Sequence, residues 1–436
     1  MQKLVKFLPA ILAVLLLLAI YTGCGEVTPQ KVPTSPSRPI VPVVTPLVTN
    51  SSIIPSASEQ ARVSPEDVTN AVTSTITTIS DIVVDGTTRP PATASVITPK
   101  PESSYNCLAP GGEPVLVGFL KLKCEIAFQA GDIQKVSISA DGKLIATATN
   151  DYRVQLWQSG PDGLPVLSKI IALDNAVKTD ALKLIFDDGN QNLLIADRNL
   201  GGGIRSWELG KSQESYRIGL QEALWFMTAF ASTPDGTYTA AGDIYGEVLL
   251  VNMDSRLYQK TVLVSGSEDA RKKQSPEYTI TSLAFSRNGK LLASASLDGQ
   301  VRVWEVPEGN KSLFNLQLSG ISLNALTFSP DGKTLAGGGP AGSIYLWGIP
   351  GGKQIKILKN SASQVTFVKF LPGGKILASV DDSGLLSLWD WANGKEVKSA
   401  SLTKSTRVVD VALSDDGHTL VTVDSNSKLK FWELVN

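Results

Sequence analysis

A hydrolase triad needs an imidazole beside its nucleophile, and this chain of 436 residues contains one histidine, His418. It follows Gly417 in the phrase SDDGH (414–418), so it reads as a solvated turn residue. The three cysteines, Cys24, Cys107 and Cys124, cannot build a zinc site with a single histidine. The run GGGPAGS (337–343) lacks the Lys-Ser/Thr of a phosphate loop and reads as an inter-strand turn. Acidic pairs Asp187-Asp188, Asp381-Asp382 and Asp415-Asp416 stand in turns, where Asp is favoured because it bonds its own backbone. The inventory predicts a non-enzyme with no cofactor and no metal. Net charge is -1, from 40 basic and 41 acidic residues, and gives no electrostatic reason to expect nucleic acid.

The turns that hold these carboxylates recur. SPDGK (329–333) has six relatives: SADGK from Ser139, FDDGN from Phe186, TPDGT from Thr233, SRNGK from Ser286, LPGGK from Leu371 and SDDGH from Ser414. Before each lies an alternating apolar run such as Ala325-Leu326-Thr327-Phe328. A second run follows, such as Lys333-Thr334-Leu335-Ala336, and a third ends in tryptophan, as in Ser343-Ile344-Tyr345-Leu346-Trp347. Short, turn-bounded runs of period two predict strands, and Gly after Asp or Asn suits the tight connection between them. Asp141 to Trp157, Asn288 to Trp304, Asp331 to Trp347, Gly373 to Trp389 and Asp416 to Trp432 are each 16 positions apart. Asp188 to Trp207 is 19, an insertion around Gly201-Gly202-Gly203, and 16 beyond Asp235 stands Val251.

This register resembles the WD-repeat family, and Trp389-Asp390 keeps its eponymous dipeptide. The resemblance covers about residues 121–436 and implies an all-β, seven-bladed β-propeller of four-stranded blades. It also implies closure: the chain ends on a third strand, so Leu122–Phe128 should supply the outer strand of the last blade and remove an exposed edge. Trp157, Trp207, Trp304, Trp347, Trp389 and Trp432 are the expected anchors between blades. Family repeats often carry a Gly-His pair whose His supports a turn Asp and the Trp; no repeat here has it. The matching Asp survives as Asp151 and Asp298, with Gly201, Tyr245, Ala341, Ser383 and Asn426 elsewhere. Blades held by packing more than by that polar network are therefore expected.

Ahead of the repeats, Lys3 and Lys6 precede the apolar run Phe7 to Ile20, then Thr22-Gly23-Cys24. The segment resembles a bacterial lipoprotein signal, with Tyr21 where an aliphatic is usual. The resemblance implies a signal peptide over 1–23, cleavage before Cys24 and lipid (palmitate) on that cysteine. A plain signal peptide or an uncleaved signal anchor is the alternative. Gly25 to Ser104 has no Phe, Trp or Tyr and holds 12 of the 24 prolines. Such a segment cannot bury enough surface to order itself, so 24–104 reads as a disordered Pro/Ser/Thr-rich linker, with a short helix over 68–83 as an open alternative. The propeller then occupies 105–436. With Cys24 lipidated, Cys107 and Cys124 remain as an even pair in an oxidising location, and a bridge between them would add about 3 kcal/mol. Two unpaired thiols, with Cys124 packed between sheets, are the alternative.

In WD-repeat propellers one face collects the loops that enter each first strand and the turns between second and third strands. Those segments are the irregular ones here, and they place Arg198, Trp225, Tyr245 and Arg271 as candidate partner-binding residues, of the types that anchor interfaces. The expected function is a monomeric, lipid-anchored, extracytoplasmic protein-interaction scaffold at a bacterial cell membrane or outer membrane. Two alternatives stand beside it: a propeller binding or converting a glycan or small molecule in its central channel, and an envelope-assembly factor.

Overall fold

The structure, a computed structural model, describes residues 96–97, 115–128, 133–160, 163–172, 181–187, 189–197, 203–211, 213–219, 227–253, 261–264, 276–307 and 312–435. The signal segment, Cys24, the 68–83 helix, Cys107, Arg198, Trp225 and Arg271 lie outside these residues.

Seven antiparallel sheets follow one another along the chain. Their innermost strands are Ile133–Ile138, Ala181–Phe186, Met227–Ser232, Ile280–Phe285, Ala325–Phe328, Val365–Phe370 and Val408–Leu413, which number blades 1 to 7. Blade 5 runs outward through Thr334–Gly338, Ser343–Gly348 and Lys353–Lys359, each strand paired with the one before it. Seven hydrophobic clusters fill the interfaces between consecutive blades. The cluster containing Val421, Phe431, Ile133 and Trp157 joins blade 7 to blade 1 and closes the ring. The fold is a seven-bladed β-propeller.

The tryptophan strand of blade 5, Ser343–Gly348, reads as a nearly continuous apolar run because both of its faces are covered. Tyr345 and Trp347 pack toward blade 4, while Ile344 and Leu346 pack toward blade 6. Every expected anchor lies in the cluster it shares with the preceding blade and is at most 4 % exposed. In blade 3, Val251 takes the indole's place and Met253 packs beside it, its flexible thioether filling volume the smaller side chain leaves.

The repeated phrase joins the first two strands of each blade, as its recurrence implies. In blade 5, Gly332 donates to the Ser329 carbonyl at 2.8 Å and has φ +70°, a conformation open to glycine at little cost. Ser329 Oγ donates to Asp331 at 2.6 Å and accepts from the Thr334 amide at 2.9 Å, while the Lys333 amide donates to Asp331 at 3.0 Å. The hydroxyl bond from Ser329, then the Lys333 amide, holds the Asp331 carboxyl below its ordinary range. Thr233 does the same for Asp235. His418 is exposed in the seventh turn, its amide donating to Asp416 at 2.8 Å.

Closure occurs as the sequence implies. Leu120–Ala127 pairs antiparallel with Lys428–Leu434, from Leu120 opposite Leu434 to Ala127 opposite Lys428. Leu120, Cys124 and Ile126 are buried to within 1 %. Two further strands precede the ring: Val115–Val117 extends blade 7, and Val96–Ile97 adds an outer strand to blade 1 opposite Ile170 and Ile171. Val96 and Ile97 fall inside the stretch that composition reads as linker. Their order comes from cross-strand pairing with Ile170 and Ile171, which composition does not reveal.

Where polar bonding is concerned, packing alone does not hold the blades. Trp157, Trp389 and Trp432 donate Nε1–H to Thr147, Ser379 and Thr422 at 3.1, 3.0 and 3.0 Å, so half of the family's network persists without its histidine. In blade 5 the equivalent position is Gly337, where a Cβ would lie 2.6 Å from Leu323 and 3.2 Å from the Trp347 ring. Thr422→Val keeps the shape but orphans the Trp432 indole N–H. It is expected to cost about 1–3 kcal/mol in chemical denaturation, against about zero were that bond immaterial.

Polar groups of the innermost strands stitch blades together. Thr228 Oγ1 donates to the Ile280 carbonyl at 2.7 Å and Thr281 Oγ1 to Leu323 at 2.5 Å. Lys369 Nζ reaches the Leu413 carbonyl and Asp415 at 2.6 Å each, and Asp410 accepts from the Val136 amide at 2.9 Å.

Candidate interaction face

The two ends of the ring use their carboxylates differently. At the end carrying the seven repeated turns, Asp141, Asp235, Asn288, Asp331 and Asp416 each accept from a Ser or Thr hydroxyl two residues earlier. They also accept the amide two residues later. These side chains complete their own turns.

At the opposite end, the turns between second and third strands carry a carboxylate in two forms in five blades, while blade 5 has Gly339 and Ala341 at the two positions. In blades 1 and 4 a hydroxyl at the strand end, Thr149 or Ser296, donates to the turn carboxylate of Asp151 or Asp298. In blades 3, 6 and 7 the carboxylate has moved two residues upstream, into the last residue of the strand. Asp243 accepts the amides of Tyr245 and Glu247 at 2.9 and 2.8 Å. Asp381 accepts the Ser383 hydroxyl at 2.6 Å and the Ser383 and Leu385 amides at 3.0 Å, and Asp424 accepts the amides of Asn426 and Lys428 at 2.9 and 3.2 Å. Counted only at the later position, Asp seems lost from these blades. Its displacement was visible in the sequence as Asp243, Asp381 and Asp424. With the carboxylate inside the strand, the turn position carries another side chain, and in blade 3 that side chain is Tyr245.

Tyr245 is half-buried, and burial first, then the charge of Asp243, pushes its phenol up; it remains a hydrogen-bond donor at neutral pH. The segment entering blade 4 sits against the same turn, since Thr279 Oγ1 donates to the Ile244 carbonyl at 3.1 Å. That contact brings Tyr278 beside the blade 3 turn. Tyr278 itself feels burial, Glu277 and Asp298, all of which raise its phenol. Behind Asp298, Arg302 donates to Gln300 Oε1 at 2.5 Å; burial lowers its guanidinium while Asp298 opposes that shift. Tyr278 and Arg302 thus both feel Asp298 in blade 4, and the Thr279 bond sets their segment against the turn that carries Tyr245. Tyr278, Gln300 and Arg302 were missed by sequence reasoning, because nothing local says that a segment entering one blade rests on the previous turn.

This end of the ring is firmly tied. The Val365 amide donates to the Gly339 carbonyl at 3.0 Å and the Val408 amide to the Asp382 carbonyl at 3.3 Å, and Arg407 pairs with Asp382 at 3.5 Å. Of the four candidate residues, Tyr245 takes its expected place in a turn of this face; Arg198, Trp225 and Arg271 lie outside the described residues. Cys124 is buried in the closing strand and takes part in a disulfide, and both other cysteines lie outside the described residues.

Five segments match the model of the WD domain, G-beta repeat: 122–158, 272–305, 313–348, 352–390 and 395–433. These five stretches are similar to WD40 repeats. Four of the matched segments contain the outer strand of one blade and end on the tryptophan strand of the next, so each of these fastens two blades; the segment 272–305 begins after the outer strand of blade 3 and covers the first three strands of blade 4. Blades 2 and 3, unmatched, are those with the insertion before Trp207 and with Val251 in place of tryptophan. Among curated proteins the chain is 27% identical over 176 residues to periodic tryptophan protein 2 of Arabidopsis thaliana, covering 40% of this chain and 17% of that protein. It is 26% identical over 191 residues to the WD repeat-containing protein SL1-17 of Schistosoma mansoni, covering 43% and 56%. In both cases the match spans less than two thirds of the relative's length.

Proposed function

We propose that this WD40-repeat propeller is a non-catalytic, extracytoplasmic scaffold, tethered to a bacterial cell or outer membrane by lipid on Cys24. Residues 24–104 act as its spacer, and it binds a protein partner through the face bearing Tyr245. The observation that carries the binding part is the asymmetry of the two ends. One end repeats a turn whose carboxylates complete themselves. The other presents Tyr245 and Tyr278 on segments tied to neighbouring blades, with Arg302 on the strand behind them, and a rigid base lowers the entropy cost of recognition. Polar groups of the innermost strands are engaged between blades, which favours a platform over a ligand site in the channel. Tyrosine and arginine are the types that dominate interface energetics. Trp225, Arg198 and Arg271 belong to the same proposed surface, and a Cys107–Cys124 bridge would fasten the approach to the closing strand.

Tyr245→Ala should weaken capture of the partner about tenfold or more, with thermal unfolding unchanged. Equal capture would remove this face from the account. The tether is tested separately: metabolic labelling with an alkynyl palmitate should mark the wild-type chain in the membrane fraction and leave Cys24→Ser unlabelled and released. An unlabelled wild type would dismiss the anchor.

A further inference from the structure

The side wall between blades 1 and 2 holds a cleft remote from the turns of the interaction face. It has a volume of about 260 Å³ and is lined by Leu144, Leu156, Lys169, Phe186, Asn190 and Leu209, among others. Sites that enclose a drug-sized ligand run to roughly 300–1,000 Å³, so this one suits a single side chain. Its counterpart between blades 5 and 6 shows which kind.

The two interfaces share a register. Leu193 pairs with Trp207 as Leu377 pairs with Trp389, so Phe186 corresponds to Phe370, Asn190 to Gly374 and Leu209 to Trp391. On the facing blades Leu156 pairs with Lys169 as Leu346 pairs with Lys356. Between blades 5 and 6 the slot is filled by the Trp391 indole. It packs against the cluster containing Leu346 and meets Phe370 edge-on at 5.9 Å and 88°. Its Nε1 donates to the Gly374 carbonyl at 2.8 Å. The outer lip is built alike in both: Lys356 Nζ donates to the Ala392 carbonyl at 2.7 Å, and Lys169 Nζ to that of Leu209 at 3.0 Å.

Between blades 1 and 2 the indole is replaced by Leu209, which leaves the slot open. The turn residue facing it, Asn190, adopts φ +53° where Gly374 has +68°. We infer that this cleft receives the indole of a tryptophan in a partner's peptide segment, the ring lying against Phe186 and Leu156 and its N–H directed to the Asn190 backbone carbonyl, as Trp391 directs its own to Gly374. The site is independent of the Tyr245 face.

The test titrates the full chain with N-acetyl-tryptophanamide, followed by ligand-observed NMR. Saturable binding is expected, reduced at least tenfold by Leu209→Trp, which places an indole where blade 6 has one. The probe methylated on the indole nitrogen should bind about fivefold more weakly, the value of one hydrogen bond. Trp391→Leu, which opens the equivalent slot, should raise the stoichiometry from one to two. No saturable binding to the wild type, equal affinity for the methylated probe, or binding unaltered by Leu209→Trp overturns the assignment. If Leu209→Trp does not fold, the methylated probe and the Trp391→Leu stoichiometry decide it.

Discussion

Trp347→Ala should destabilise the propeller by about 3–5 kcal/mol, the range for deleting a fully buried aromatic from a packed core. The indole is 1 % exposed, stacks on Tyr345 at 6.0 Å and 13°, and packs against Leu323, Leu326 and Leu335 in the interface between blades 4 and 5. Blade interfaces are covered on both sides and cannot collapse inward without moving a whole sheet, so the cavity would persist. At a few degrees per kcal/mol the melting temperature should fall by about 10 °C. Val251→Ala, at the equivalent position of blade 3, removes less volume and has Met253 beside it to adjust, and should cost about 1–2 kcal/mol. Chemical denaturation of the two variants checks the pair. Equal losses would mean that the indoles are not what holds neighbouring blades together.

The second large effect concerns closure. A chain beginning at residue 129 lacks the strand Leu120–Ala127, so Lys428–Leu434 becomes an open edge and the partners of Leu120, Leu122, Cys124 and Ile126 face water. Burying four such side chains is worth about 1.5–3 kcal/mol each, and that sum is comparable to the whole net stability of a typical domain, about 5–15 kcal/mol. An unpaired, hydrophobic edge is also a template for association. The shortened chain is expected to be aggregated in sedimentation, whereas one beginning at residue 84 should be monomeric with a single cooperative transition. A monomeric, equally stable chain from residue 129 would show that the ring closes without that strand.

How much of this was legible beforehand depends on whether a feature is local. The turn-to-tryptophan spacing is local and repeated, so the seven units could be read from residues alone, and the resemblance they carry implied the four-stranded blades and the closing strand. The displaced carboxylates of Asp243, Asp381 and Asp424 were equally local, but only to a reading that considers two positions at once. Val96–Ile97 carried no local signal, because its order comes from pairing with residues more than seventy positions away. The placing of Tyr278 near the turn of Tyr245 depends on how one blade's approach rests on the previous blade's turn. So does the contrast between Leu209 and Trp391. Such contacts are set by the ring, and composition does not encode them.

The proposed function rests on one end of the ring being the recognising surface. A photo-crosslinking amino acid placed at Tyr245 and at Arg407, and separately at Asp235 and at Asp331, tests it most directly in the full chain within cells that produce it. The account predicts one discrete crosslinked protein partner from the first two positions and none from the second two. Crosslinks arising only from Asp235 and Asp331 would contradict it.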